Sequence, residues 1–279
     1  YGVSLSERAV RYHLQFMDER GLTQLVGRRD GRIITDKGIE ELRNARVQDK
    51  VGYAISRIEI LAYKTTFDIA SRSGLIPVNV SFFRKELFPE ALAAMKEPFD
   101  KGLAVSDLVG VAGPGEFIGD MNVPEGQIGF ATVCSIVVNG VLLKRGIPMD
   151  SKFGGILQLQ DGKPIRFVEL IHYSGTSLDP SEAFISAKMT SVRDAASGGA
   201  GKILANFREI AGICRENVMD VLGLLGRAGI RGVLSTGKMG EPVCQVPVDV
   251  NKVGLVLIGG LNPVAAARET GVEAENFAM

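Results

Sequence analysis

Val10, Leu14 and Met17 recur at i, i+4 and i+7, a spacing that lines three apolar side chains along one face of an α-helix. The pattern predicts a helix starting at Ser4 or Ser6, each a suitable N-cap, with Ser4 and Glu7 at capping-box spacing. It ends at Arg20, where Gly21 supplies the stop. The stripe is expected to be buried. Residues 22–26 then read as a short strand, 27–31 as a basic turn, 32–35 as a returning strand and 36–46 as a second helix.

Helical spacing of Val51, Ile55, Ile58 and Ala62 predicts a connector helix over 47–63, with a domain boundary in 46–52. The remainder, 64–279, mixes both periods. Residues 75–83 are strand-like, and 84–101 are helical until Gly102. In FATVCSIVVNGVLLKRGIP, Asn139-Gly140 sits between the apolar runs 128–138 and 141–147, which predicts a type I′ hairpin. A second hairpin is expected at Asp161-Gly162. Two junctions, FVELIHYSGTSLDPSEAFISA and VGLVLIGGLNPVAAARE, each read as strand, glycine-bearing turn, N-cap (Asp179, Asn262), proline, then helix. Such helix starts offer free N–H groups to an anion. The segments 115–135 and 240–260 share Gly-Glu, Val-Pro and Gly-strand in one order, a candidate internal duplication. The fold class is therefore mixed α/β (α+β), with a candidate duplicated unit, preceded by a partial winged helix-turn-helix.

Composition adjusts this picture in three places. With 279 residues, 46% hydrophobic and 23% charged, the chain can bury a large core, and its zero net charge excludes a surface that coats nucleic acid throughout. Six arginines face only three acidic residues between Arg8 and Arg32, a local basic patch. Three isolated cysteines and two histidines give no metal-ligand spacing and suit a reducing cytoplasm, while no apolar run reaches the length of a membrane helix. The opening at Tyr1, without Met, leads to the expectation of a fragment whose bracing helices precede the first one here.

Arg8, Arg11 and Gln15 share one face of that first helix, with Tyr12 beside them. Arg and Gln side chains match base edges and phosphates in a major groove. Arg28, Arg29 and Arg32, at the hairpin tip, suit the phosphate backbone. The expected partner is double-stranded DNA, read by a homodimer because one reader helix covers a half-site.

In the larger part, small polar residues end apolar strands: Thr132, Cys134, Ser135, Lys144, Tyr173, Thr176, Ser177 and Asn262. Hydroxyls, a lysine and open helix starts suit a small dicarboxylate. No cofactor or metal is expected. ASGGAGKILANF fails as a phosphate loop, because Ala196 replaces the first glycine and Ile203 follows the lysine. A Cys134–His172 dyad would make the chain a thiol-dependent enzyme. A purely structural dimerisation module is the third alternative, and the preferred reading is a non-enzyme.

SERAVRYHL, GRRDGRIITDKGIEEL, TVCSIVVNGVLLKRGIP, FGGILQL, GTSLDP and IGGLNPVAAARETGV resemble the NrpR family of nitrogen-responsive transcriptional repressors, over nearly the whole chain. The resemblance implies a winged helix joined to an effector domain that releases operator DNA when 2-oxoglutarate accumulates. It also implies that the TVCS strand, with Thr132, Cys134 and Ser135, lies in or near the effector pocket.

Overall fold

Ser6 starts the first helix: its hydroxyl accepts the Ala9 amide at 3.3 Å, so helix α1 runs over Glu7–Glu19 and ends before Gly21 at φ +68°. The computed structural model describes residues 6–27, 31–44 and 52–278. Ser4 lies outside them, so the capping box drawn there has no described counterpart. Strands β1 (Thr23–Gly27) and β2 (Gly31–Ile34) pair antiparallel, and α2 (Asp36–Asn44) follows. Thr35 joins the pieces, donating through its hydroxyl to the Gly21 carbonyl at 2.7 Å and accepting from the Gly38 amide at 3.0 Å. The expected burial of the α1 stripe is corrected. No residue of α1 is buried, and Val10 is 41% exposed, because the described elements of this unit include no second layer to cover the stripe.

Residues 1–51 and 52–279 form two units. The second begins with α3 (Tyr53–Lys64), preceded by Gly52 at φ +75°. The connector drawn over 47–63 is thus described as helix only from Tyr53, and it packs inside the second unit on Cys134, Ile136 and Tyr173. Val51 lies outside the described residues.

Two halves follow that share one element order apart from a small hairpin in the first. The first comprises β3 (Val78–Arg84), a 3-10 turn, α4 (Phe88–Asp100), β4 (Val109–Ala112), the small hairpin β5 (Phe117–Ile118) and β6 (Met121–Asn122), β7 (Gln127–Val133), α5 (Ile136–Leu143) and β8 (Asp150–Gln160). Strand β9 (Lys163–His172) and helices α6 (Pro180–Ser186) and α7 (Val192–Gly198) link it to the second. That half comprises β10 (Gly201–Ala211), a 3-10 turn, α8 (Arg215–Arg227), β11 (Val233–Thr236), β12 (Lys252–Ile258), α9 (Asn262–Glu269) and β13 (Ala274–Ala278). The local geometry repeats in detail. Helix α4 closes with the Leu103 amide on the Pro98 carbonyl at 2.8 Å, and α8 closes with Ile230 on Leu225 at 2.9 Å, each after a positive-φ glycine. This is the duplication that the shared 115–135 and 240–260 segments announce.

The sheets interlock. One has the order β13-β3-β7-β4, the other β11-β12-β10-β8-β9, with every pairing antiparallel. The last strand of each half, β8 or β13, therefore pairs with the first strand of the opposite half. A single core cluster joins Phe83, Phe130 and Val137 to Ile156, Phe207 and Leu255. The hairpin expected at Asp161-Gly162 is present, both residues taking the positive φ of a type I′ turn, +52° and +72°.

The other expected hairpin is a correction. Residues 136–143 form α5, and Asn139-Gly140 sits mid-helix. Every residue from Ile136 to Leu142 is buried, so the segment has no polar face to reveal a helical period. Gly140 is there for closeness instead: a Cβ would overlap the Thr65 side chain at the end of α3. Asp179 caps α6 as expected, accepting from Ser181 at 2.7 Å. Asn262 does not cap; it is the first residue of α9, and its amide side chain clamps the Leu204 backbone of β10, at 2.8 Å to N–H and 3.0 Å to C=O.

Gly140→Ala should therefore lower stability by about 1–3 kcal/mol, the usual cost of overpacking. Thermal unfolding would show the effect, and an unchanged Tm would refute the tight α3–α5 contact.

Candidate functional site

The interlocked sheets bring two turns face to face at the centre of the second unit. Strand β7 leads into Cys134-Ser135 and β12 into Gly259-Gly260, and the Thr132 hydroxyl donates across to the Gly260 carbonyl at 2.9 Å. Gly260 carries no side chain because a Cβ would overlap the Asn79 amide.

Ser135 is the hub. Its hydroxyl accepts from Asn206 Nδ2 at 3.2 Å and from Arg208 Nη2 at 3.1 Å, and its carbonyl accepts from Arg208 Nη1 at 3.3 Å. Tyr173 donates its hydroxyl to Asn206 Oδ1. Arg208 stands on the central strand β10 and is 1% exposed. Its Nη1 also lies 3.9 Å from Met149 Sδ, while its Nε has no hydrogen-bond partner. Among the described residues no carboxylate pairs with this guanidinium.

Burial lowers the pKa of Arg208 and raises that of Tyr173 well above the usual phenol range; it also raises the Cys134 thiol to about 11. Desolvation is the largest cause in all three. Tyr173 and Cys134 are therefore neutral at neutral pH and contribute no compensating charge.

Two clefts flank α3. The larger, of 550 Å³, is lined by Ile58 and Ala62 of α3, Asn139 of α5, Met149, Ser151 and His172. Asn139 Nδ2 donates to Ser151 Oγ at 3.1 Å, leaving its buried Oδ1 without a partner. Lys152 on the same wall pairs with Asp150 at 2.6 Å and stands 3.2 Å from Glu209 Oε2, an ion pair outside hydrogen-bond geometry. The smaller cleft, of 270 Å³, is lined by Tyr53 and Leu61 of α3, Tyr173, Ser177, Asn276 and Phe277.

The residues singled out from sequence separate accordingly. Thr132, Cys134, Ser135 and Tyr173 converge on the hub. Lys144 does not: it is exposed, donates to the Tyr63 carbonyl at 2.9 Å and lies over the Tyr63 ring, fastening α5 to α3. Thr176 accepts from the Leu178 amide within its own loop, Ser177 is exposed at the smaller cleft, and Asn262 is the clamp on β10. His172 packs its ring 5.7 Å from Phe153, and no hydrogen bond joins it to Cys134. ASGGAGKILANF is no loop either, since Lys202 lies on β10.

In the first unit, Arg8, Arg11, Tyr12 and Gln15 occupy one exposed stripe of α1. Arg11 pairs with Glu7, Gln15 donates to Glu19 at 3.3 Å, and Tyr12 stacks on Phe16. Arg32 bonds Asp18 at 2.7 Å, tying the hairpin to α1, and Thr23 donates to the same carboxylate. Those two bonds hold the Asp18 pKa below the usual carboxylate value. Arg28 and Arg29 lie outside the described residues.

Sequence reading missed Asn206, Arg208, Asn139 and Ser151. One signal was present: Arg208-Glu209 interrupts the apolar run of GKILANFREIA, and charged residue types inside an apolar strand are seldom idle.

With a pKa near 11, the Cys134 thiolate is about one part in a thousand at pH 8. A thiol reagent should label Cys214 and Cys244, both half-buried, in the folded protein, and Cys134 only on unfolding. Rapid native labelling at Cys134 would contradict the buried hub.

Residues 51–279 match the family model of the NrpR regulatory domains NRD1 and 2, and residues 1–42 match that of the ribonuclease R winged-helix domain. The chain is 40% identical over 274 residues to the global nitrogen regulator NrpRI of Methanosarcina mazei, covering 98% of this chain and 84% of that protein. It is 34% identical to the global nitrogen regulator NrpR of Methanocaldococcus jannaschii, covering 95% of this chain and 45% of that one. A crystal structure of a nitrogen repressor-like protein from Methanococcus jannaschii superposes with a TM-score of 0.68 at 27% identity, over 81% of this chain and 94% of that one. By the family model and the level of identity together, this chain belongs to the NrpR family of nitrogen regulators.

Proposed function

We propose that this chain is a DNA-binding transcriptional repressor of nitrogen metabolism whose second unit senses a small dicarboxylate, 2-oxoglutarate. The observation that carries the reading is the position of α3. It is the first described element after residue 51, and it forms one wall of both clefts. A metabolite seated in either cleft bears directly on the segment leading to the winged-helix unit. The exposed stripe of Arg8, Arg11, Tyr12 and Gln15 suits a major groove, and Arg28 and Arg29 suit phosphates. Arg32 serves the hairpin through Asp18, so its share in DNA binding is secondary. A homodimer would match a palindromic operator.

Effector and DNA then favour different arrangements of the same dimer. Allosteric couplings run about 1–3 kcal/mol, so saturating 2-oxoglutarate should weaken operator binding roughly 5–150-fold. The test takes duplex DNA selected by the protein from a random pool and measures affinity at one fixed salt concentration, with and without 2-oxoglutarate, using succinate and glutamate as controls. Calorimetric titration of the ligand alone accompanies it. Equal affinity in both states would refute the linkage, and an absence of binding heat would remove 2-oxoglutarate from the reading. Arg8→Ala and Arg11→Ala should weaken DNA binding and flatten its salt dependence, while leaving ligand heat unchanged.

A further inference from the structure

The duplication provides a control within one molecule. Register and element order equate β10 with β3 and β8 with β13, so Arg208 corresponds to Ser81 and Asn206 to Asn79. The cross-strand neighbours correspond too, Ser151 opposite Arg208 and Asn276 opposite Ser81. At the Ser81 position every contact is short-range and satisfied: Ser81 donates to Asn276 Oδ1 at 2.6 Å, and Asn276 Nδ2 donates to Glu182.

The Arg208 position is built differently. A guanidinium has five N–H donors, and here a serine hydroxyl and a carbonyl receive from its two terminal nitrogens while the Nε–H donates to nothing. Ser151, opposite Arg208 on the neighbouring strand, accepts from Asn139, whose buried Oδ1 is also without a partner and which lines the larger cleft. Met149 lies 3.9 Å from Nη1 and lines the same cleft, so a flexible side chain connects the guanidinium with the wall of the 550 Å³ space. Lys152, the other cation on that wall, is already held between Asp150 and Glu209. A wholly buried arginine without a counter-ion is strongly disfavoured unless an anion completes it.

We propose that Arg208 anchors one carboxylate group of an organic acid that enters through this cleft. The free Nε and a neighbouring terminal nitrogen present the edge of the guanidinium that a carboxylate takes with two parallel hydrogen bonds. Ser135 accepts one hydrogen bond from each terminal nitrogen and holds the group in place. The equivalent strand position carries the neutral Ser81 instead of an arginine, so each chain takes one such ligand despite its two halves. This assignment rests on the effector reading above for the ligand class and on geometry for the residue.

The experiment compares the wild-type chain with Arg208→Met and Arg208→Lys by calorimetry and thermal unfolding, titrating 2-oxoglutarate and succinate. The wild type should bind the preferred acid at one site per chain and melt higher in its presence. Arg208→Met should melt no lower than wild type without ligand, because it removes an unpaired buried charge, and should weaken binding by on the order of 100-fold. Arg208→Lys keeps a point charge without the planar fork and should weaken binding about tenfold. A purely structural arginine would give the reverse, a lower melting temperature with unchanged affinity. Wild type and both variants binding 2-oxoglutarate equally would overturn the anchor and leave the effector reading intact. Two equivalent ligands per chain would overturn the single site. No carboxylate binding to the wild type would overturn anchor and effector reading together. Should Arg208→Met fail to fold, an unchanged affinity in Arg208→Lys still refutes the proposal.

Discussion

Each half of the second unit lends its last strand to the other. Strand β8 lies against β10 with Ala205 opposite Gly155, and β13 lies against β3 with Phe277 opposite Val80. Neither sheet is complete without this exchange, because β10 and β3 would otherwise present open edges beside their own cores. Exchange also fixes where the halves meet. The chain must turn from β7 into α5 and from β12 into α9 beside the same seam, which forces the Ser135 and Gly260 turns together. Only glycine fits at 260, since Asn79 occupies the space of any side chain. Thr132 then closes the seam with a hydrogen bond to that same residue.

Arg208 follows from this arrangement. It lies on β10, which is flanked by β8 and β12, and its side chain is enclosed in the core at 1% exposure. The groups around it are serine, asparagine, tyrosine, methionine and a thiol. None of these carries charge at neutral pH, because the same burial that disfavours the guanidinium raises Tyr173 and Cys134. A neutral cage gives hydrogen bonds to a cation but not charge balance. That difference between geometric and electrostatic satisfaction separates the Arg208 position from its Ser81 counterpart, where neutral groups meet neutral groups and a carboxylate receives the last donor.

Local turn chemistry was legible in the sequence, and tertiary packing was not. Gly21, Gly102 and Asp161-Gly162 announced their positive-φ positions, and Asp179 its cap. The repeated Gly-Glu, Val-Pro and Gly-strand order marked a real duplication, although nothing in one sequence shows that the final strands are exchanged. Asn139-Gly140 misled because the dipeptide has two uses. It supplies positive φ in a hairpin, and in a helix its glycine permits close approach, here to Thr65. Burial on all sides had erased the period that would have told them apart. Asn262 misled for a related reason, since an asparagine before proline fits a cap but here serves a strand next door. Lys144 was read as a ligand group from its place after an apolar run, yet the true end of that run is a helix terminus, and the lysine reaches the Tyr63 carbonyl.

Helix α3 carries these observations toward regulation. Thr65 against Gly140, Lys144 on Tyr63, and Ile58 and Ala62 over Tyr173 hold it on the seam. Only Ile58 and Ala62 of its own residues are buried, and it walls the clefts on either side. A ligand shifts such an element only by the difference in its affinity for two arrangements. Beside the larger cleft are two buried polar atoms that lack partners, Asn139 Oδ1 on its lining and Arg208 Nε, whose guanidinium touches the lining Met149. An arrangement in which a ligand satisfies them gains what the empty one forgoes, and α3 is the wall that such a ligand must touch.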